Sequence, residues 1–224
     1  AYEISLGLVG SEMCIRDSVC ASAKIVIVCI ITTQNNSKFT LKIRHFMTKT
    51  EIRKQMKGLN TALSSEQREE LSARIFNEAE RLPAFARAKV VALFASLKDE
   101  PLTAPALERW SRSKRIVLPR VEGDIMRFYD YDPASMNDSG SFGISEPEAT
   151  ALCRPEEIDF IIVPGVAFTA AGMRLGRGKG FYDKYLSQPG FRAFKAGVCY
   201  PHQVVEELPA DPFDVPVDHL CCGR

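Results

Sequence analysis

Residues 172–186, GMRLGRGKGFYDKYL, place four glycines and four basic side chains in fifteen positions. Glycine lets a backbone turn sharply and bring successive N–H groups close to a ligand, while Arg and Lys supply counter-charge. The two together suit a phosphate. Two common phosphate loops are excluded by spacing. A Walker loop needs a hydroxyl after its lysine, and Lys179 is followed by Gly180. A dinucleotide fingerprint needs G-x-G-x-x-G, and Gly176, Gly178 and Gly180 run as G-x-G-x-G. Arg174, Arg177 and Lys179 are the candidate counter-charges, and the helix expected after the loop adds its positive end. Taken by itself the stretch fits either an anion cradle or a glycine-rich turn carrying solvated basic residues.

The rest of the composition narrows the setting. At 224 residues, 46% hydrophobic and 25% charged, the chain reads as globular and long enough for one sizeable core. Five Lys/Arg and three Asp/Glu fall in residues 1–46, leaving 24 basic against 25 acidic residues from Met47 onward. Such neutrality argues against a nucleic-acid binder, which shows a basic face or tail. Seven cysteines without a C-x-x-C pair and only three histidines speak against a zinc site and a disulfide framework, so reduced thiols in a cytoplasmic protein are expected. The apolar run IVIVCII at 25–31 is far short of the roughly 20 residues that cross a bilayer, and no A-x-A-like cleavage site follows it. EISLGLVGSEMCIRDS resembles a recurring translated sequencing-adapter sequence. Residues 1–46 are therefore expected to be a non-native or disordered extension, with a single domain over 47–224. The alternative is an organelle-targeting extension, though an Arg-rich amphipathic pattern is missing.

The elements that must position the glycine stretch follow from periodicity. TKTEIRKQMKGL and SSEQREELSARIFNEAERL read as helices. In the second, Ser64 or Ser65 can cap the start, and Leu71, Ile75, Phe76, Ala79 and Leu82 fall at helical spacing before Pro83. AKVVALFAS (88–96) reads as a buried strand, LTAPALERWSRS as a helix, KRIVLPRV as a strand and DIMRFYDY as an exposed or edge strand. IDFIIVPGVAF (158–168) reads as the strongest strand, running up to the glycine stretch. FYDKYLSQ continues as a helix, and FRAFKAGVCY and PVDHL as strands. Strands alternating with helices predict an α/β fold with a mainly parallel sheet, whose ligands gather at the strand carboxyl ends.

IDFIIVPGVAFTAAGMRLGRGKGFYDKYL is similar to the signature of the 5-formyltetrahydrofolate cyclo-ligase family. The likeness runs from Met47 to Leu220 through KTEIRKQMK, FASLKDEPLT, VLPRV, FGISEP and DPFDVPVD. The resemblance implies a three-layer α/β sandwich with a mainly parallel central sheet, similar to the sugar-phosphate isomerase/CoA-transferase-like fold. It also implies closure of 5-formyltetrahydrofolate, with or without a polyglutamate tail, to 5,10-methenyltetrahydrofolate, with ATP as co-substrate and Mg²⁺ as cofactor. A monomer that binds neither nucleic acid nor membrane is expected. On the nucleotide side the resemblance assigns Lys49 and Arg53 to ATP. Arg174, Leu175, Gly176, Arg177, Gly178, Lys179, Gly180, Phe181 and Tyr182 wrap the phosphates, with Arg177 and Lys179 as the catalytic cations. Asp183 and Asp214 match magnesium positions. On the folate side it assigns Arg53, Ala95, Glu100, Phe142 and Tyr182.

Each assignment has a structural rival. Lys49 and Arg53 would serve as solvated charges on a polar helix face, Asp183 as a first-turn acid, and Asp214 as a turn residue beside Pro212. Glu100 could be a surface acid starting the next helix, since Pro101 follows it, and Phe142 a loop anchor. The chain departs from the family pattern at Leu102, where an acid is frequent, at Phe213, where a polar residue is common, and in its final CCGR. Two other classes compete: an isomerase or transferase of similar fold, disfavoured by the long RLGRGKGFYD motif, and an idle nucleotide-binding protein, disfavoured by intact Arg53, Lys179 and Asp183. A chain beginning at Met47 is expected to keep the melting temperature and activity of the full chain, measured side by side; a large drop in either would place residues 1–46 within the fold.

Overall fold

The first helix begins where its sequence can satisfy its own free N–H groups. In the computed structural model, which describes residues 47–133, 136–137, 146–147 and 151–224, α1 (Lys49–Thr61) starts after Thr48. The Thr48 hydroxyl accepts the Glu51 N–H, and the Glu51 carboxylate takes the Thr48 N–H at 2.7 Å. The same reciprocal cap, made by Ser64 and Gln67, opens α2 (Ser65–Glu80), so Ser64 is the cap and Ser65 the first helical residue. There follow α3 (Pro83–Arg87), β1 (Val90–Ala92), α4 (Ala104–Ser111), β2 (Arg115–Glu122), β3 (Ile125–Asp130), β4 (Met136–Asn137), β5 (Glu146–Pro147) and β6 (Leu152–Cys153). The chain continues through β7 (Phe160–Pro164), β8 (Ala167–Thr169), β9 (Arg174–Leu175), α5 (Phe181–Leu186), β10 (Phe194–Val198), β11 (Val204–Val205) and β12 (His219–Cys221).

The main sheet has the order β12-β10-β7-β1-β2-β3-β6. Its first five strands run parallel, while β3 is antiparallel to β2 and β6 to β3. A smaller sheet, β11-β8-β9, and the β4–β5 ribbon complete the strands. Because side chains alternate along a strand, register decides which face each one joins. Val91, Ile116, Phe160 and Phe194 are register partners on one face, and with Leu93, Leu118, Ile162, Ala196 and Val198 they pack under α2, α3 and α4. Ala92, Val117, Ile161 and Val163 point the other way, to Phe128, Phe168 and the α5 residues Tyr185 and Leu186. Both faces are therefore covered, which explains why the central strands read as continuous apolar runs. The result is the three-layer, mainly parallel α/β architecture. No helix among the described residues is long and apolar enough to cross a membrane.

Three expectations change in detail. The stretch 158–168 is two strands in two sheets: Pro164 ends β7, and the chain breaks at Gly165 so that the Val166 N–H bonds Leu175 O at 2.7 Å. Strand 88–96 pairs regularly only over β1, after which Leu93 N–H makes one more bond to Val117 O and the chain leaves the sheet. The 93–103 loop is then pinned by reciprocal bonds, Ser96 N–H to Thr103 Oγ1 at 3.0 Å and Thr103 N–H to Ser96 Oγ at 3.2 Å. β3 is not the edge strand, because the two-residue β6 lies outside it.

Phe160 centres the helix-covered face. It is fully buried, edge-on to Phe85 at 5.4 Å and stacked on Phe194 at 5.7 Å. Phe160→Ala is expected to cost about 3–5 kcal/mol in urea unfolding, from lost transfer energy plus the cavity. Ile125→Ala, at a half-exposed position on β3, should stay within about 0.5 kcal/mol of the parent.

Candidate active site

A cleft of about 130 Å³ opens at the carboxyl ends of β1 and β7. It is lined by Arg53, Lys57 and Asn60 of α1, Asp99 and Glu100 of the loop after β1, Gly165 and Val166 after β7, Arg177, and Gln203. This is where an α/β sheet places its ligands. The residues come from segments far apart in sequence, so the cleft is a product of the sheet order.

The glycine stretch forms one wall, and an ion pair closes its base. The Arg174 side chain is 4% exposed, and its Nη2 lies 2.6 Å from Asp183 Oδ1, with Nη1 3.4 Å from the Pro164 carbonyl. Asp183 Oδ1 also accepts the Val215 N–H at 3.3 Å. Between these ends, Gly176 O accepts from Arg53 Nε at 2.9 Å, which ties α1 to the loop. A Cβ at Gly176 would sit 2.9 Å from Nη1 of the buried Arg174, so a side chain there would push against the guanidinium that bonds Asp183. Gly178 has φ +109°, a conformation that side chains rarely adopt, and the space a Cβ would take holds only the Arg53 guanidinium, 3.7 Å away. Lys179 is exposed between two such glycines, without an ion-pair partner among the described residues. Tyr182 presents its ring to Arg174 at 5.7 Å. Its hydroxyl is buried without a hydrogen-bond partner among the described residues, as is Arg174 Nε. Burial, reinforced by the negative charge of Glu100 and only partly opposed by Arg174, pushes the Tyr182 phenol far above its ordinary pKa.

The opposite wall is acidic. Arg177 donates through Nε and Nη2 to Glu100 Oε1 at 3.0 and 2.9 Å, and through Nη2 to Asp99 Oδ1 at 2.7 Å. Glu100 Oε2 accepts the Leu97 N–H at 3.0 Å, and the side chain is 12% exposed. Glu100 does not start a helix, because α4 begins four residues later at Ala104; it belongs to the pinned loop, as does the half-buried Ala95. Beneath this loop the fully buried Tyr200 donates its hydroxyl to Glu100 O at 2.9 Å. Asn60 Nδ2 donates to Asp99 O at 2.9 Å, and Gln203 Nε2 to Val166 O at 2.8 Å. Sequence reasoning missed Lys57, Asn60, Asp99, Tyr200 and Gln203. Lys57 and Asn60 were within reach, since positions 53, 57 and 60 share a helix face; Tyr200 and Gln203 follow β10 directly and carry no motif.

A third group joins α1 to the C-terminal segment. Lys49 Nζ contacts Asp211 at 2.7 Å and Asp214 at 3.0 Å. Burial would raise the Asp214 carboxyl, but the Asp211 N–H, the Lys49 ammonium and the Arg174 charge outweigh it and hold Asp214 below the ordinary 3.8. Because Val215 N–H bonds Asp183, the two aspartates expected to bind magnesium stand at one place. Each has one hydrogen-bonded oxygen, Asp183 Oδ1 and Asp214 Oδ2, and the other without a partner among the described residues. A hard divalent ion that takes a few carboxylate oxygens and keeps its waters fits such a pair. Phe142 lies outside the described residues. Among those residues one further cluster, Glu78, His219 and Cys221, brings three ligand types within 4.8 Å. None of its members lines the cleft, Glu78 is held by the Cys222 and Gly223 N–H groups, and burial pushes the Cys221 thiol up to about 12.

Fold and cleft together define a mainly parallel α/β protein with an anion-receptive loop facing an acidic wall. The sequence profile of the 5-formyltetrahydrofolate cyclo-ligase family matches residues 45–223. The 5-formyltetrahydrofolate cyclo-ligase of Haemophilus influenzae is 33% identical over 182 residues, covering 78% of this chain and 95% of the relative. The solved 5,10-methenyltetrahydrofolate synthetase of Aquifex aeolicus superposes with a TM-score of 0.72 at 40% identity, over 80% of this chain and 91% of that one. That of Mycoplasma pneumoniae gives 0.65 at 29%, over 80% and 100%. The chain belongs to the 5-formyltetrahydrofolate cyclo-ligase family.

The Lys49–Asp214 pair has a pH signature. A carboxyl whose folded pKa is depressed adds stability that is complete above its unfolded value and lost as pH falls through the folded value. Asp214→Asn should therefore lower the melting temperature at pH 7, and the gap to the parent should close as pH drops below 3.8. A gap that persists unchanged at low pH would show that the carboxylate charge is not what stabilises this corner.

Proposed function

We propose that this chain is an ATP- and Mg²⁺-dependent ligase that converts 5-formyltetrahydrofolate to 5,10-methenyltetrahydrofolate, releasing ADP and phosphate. The observation that carries the reading is the single cleft in which the glycine loop, α1 and Glu100 meet, linked through Arg53–Gly176 and Arg177–Glu100. The names of the relatives supply the reaction; the cleft supplies residues able to perform it.

An N-formyl group is an amide and a poor electrophile, so its oxygen must first become a leaving group. In the proposed course the formyl oxygen attacks the γ-phosphorus as ADP leaves, giving a phosphorylated formyl intermediate. N10 then adds to the activated carbon, and phosphate departs with the C–O bond as the N10 proton is lost. The protein contributes position and charge. The N–H groups of the Gly176–Gly180 loop cradle the phosphates, with Lys49, Arg53 and Arg174 around them. Lys179, unpaired among the described residues and flanked by Gly178 and Gly180, meets the charge that develops on the transferring phosphoryl group, with Arg177 beside it. Asp183 and Asp214 would hold Mg²⁺, which when bound neutralises phosphate charge. Glu100 accepts the N–H donors of the pterin edge, and Tyr182 and Ala95 border the same space. Phe142 is assigned to stack on the pterin. The enzyme comprises residues 47–224 and works in the cytoplasm as a monomer.

The test is a coupled assay with 5-formyltetrahydrofolate and Mg-ATP, following methenyl absorbance and ADP together. The parent should form both in equal amounts. Lys179→Met should lower kcat by about 10²–10³, the usual effect of removing one transition-state charge donor, with a smaller change in folate KM. ADP formed without methenyl product, or a Lys179→Met variant as fast as the parent, would sink the reading.

A further inference from the structure

Arg177 sits where the two halves of the cleft meet. It belongs to the glycine loop, two residues before Lys179, yet its Nε and Nη2 edge is turned away from the loop and onto Glu100 and Asp99 at 2.7–3.0 Å. Asp99 is a quarter exposed, and Arg177 is the only cation bonded to its carboxylate among the described residues. Burial alone would lower the Arg177 pKa, but its bond to Asp99 and the charges of Glu100 and Asp99 outweigh that and raise it, so the guanidinium is well matched where it stands. The arrangement blocks both substrates. The Glu100 oxygens already receive two N–H donors from Arg177 and one from Leu97, leaving few sites for a pterin edge. Arg177, engaged by two carboxylates, offers no free N–H on its Nε and Nη2 edge to a polyphosphate reaching the loop.

Resting on the cyclo-ligase reading, we propose that Asp99 is a positioning residue that parks Arg177 on the folate acid Glu100, and so couples the binding of the two substrates. Each substrate supplies the partner that the other displaces. Phosphate takes Arg177 from the carboxylates, and the pterin N–H groups take its place on Glu100. Either ligand alone must break the ion pairs; together they exchange them. The coupling is reciprocal, as linkage requires, and its size depends on how completely Asp99 holds Arg177 in the parked position.

The experiment is calorimetric titration of a β,γ-methylene ATP analogue with Mg²⁺ into the full chain, with and without saturating 5-formyltetrahydrofolate, for the parent and for Asp99→Asn. The parent should bind the analogue about tenfold more tightly with folate present, within the usual range of coupling. Asp99→Asn should bind it several-fold more tightly than the parent when folate is absent, and the enhancement by folate should shrink to about twofold or less. Melting curves by circular dichroism confirm that the variant is folded, as expected for a partly exposed acid. Weaker analogue binding by Asp99→Asn alone, or an enhancement equal to that of the parent, overturns the role of Asp99 and leaves the cyclo-ligase reading standing. A parent that binds neither analogue nor folate sinks that reading, and this inference with it.

Discussion

The pair between the buried Arg174 and the part-buried Asp183 is the contact on which the site depends. It spans the glycine loop from one end to the other, so the loop is held at its base by one short bond between a strand end and the first turn of α5. The same guanidinium reaches the end of β7 through Pro164 O, and the same carboxylate takes the N–H of Val215. Four segments are thereby fixed relative to each other. Removing Asp183 would leave the buried Arg174 guanidinium without its acid, which is costly for a charge so little exposed. Arg174 and Asp183 are therefore structural before either can be anything else. Substituting Asp183 would disturb the loop as well as any metal bound there.

Around that fixed base, in and beside the cleft, cations are held by acids. Arg177 is drawn to Asp99 and Glu100, and Lys49 to Asp211 and Asp214. Arg53 is instead used by a backbone carbonyl of the loop. Lys57 in the cleft and Lys179 on the glycine loop are left without an acidic partner among the described residues, and Lys179 lies between two glycines of positive φ. A cation held by an acid is well placed but must be released before it can serve a phosphate. A free one is ready but loosely placed. The cleft contains both kinds.

Much of this was legible in the chain. The glycine and arginine spacing, the two N-terminal helices with the second capped by Ser64 or Ser65, and the apolar strands were all readable locally, because caps and periodicities involve residues three or four positions apart. The strand boundaries were less so. The run 158–168 is apolar apart from Asp159, and its Pro164–Gly165 pair signals a turn without showing that the chain passes from one sheet into another. That break depends on the close approach of Phe168 and Arg174, which leaves no room for a Cβ at Gly165. β6, with two residues, is too short to leave any periodic signal, so its cover of β3 could not be foreseen.

Residue types alone determined that this chain forms an α/β sheet and carries a loop suited to an anion, because those properties reside in local pattern and in the chemistry of glycine and arginine. Which charge meets which was decided by the tertiary structure. Arg177 and Glu100 are 77 positions apart, and Lys49 and Asp214 are 165. Electrostatic pairing depends on distance in space, and only the parallel order of β10, β7, β1 and β2 brings the loops that carry these groups to one edge of the sheet.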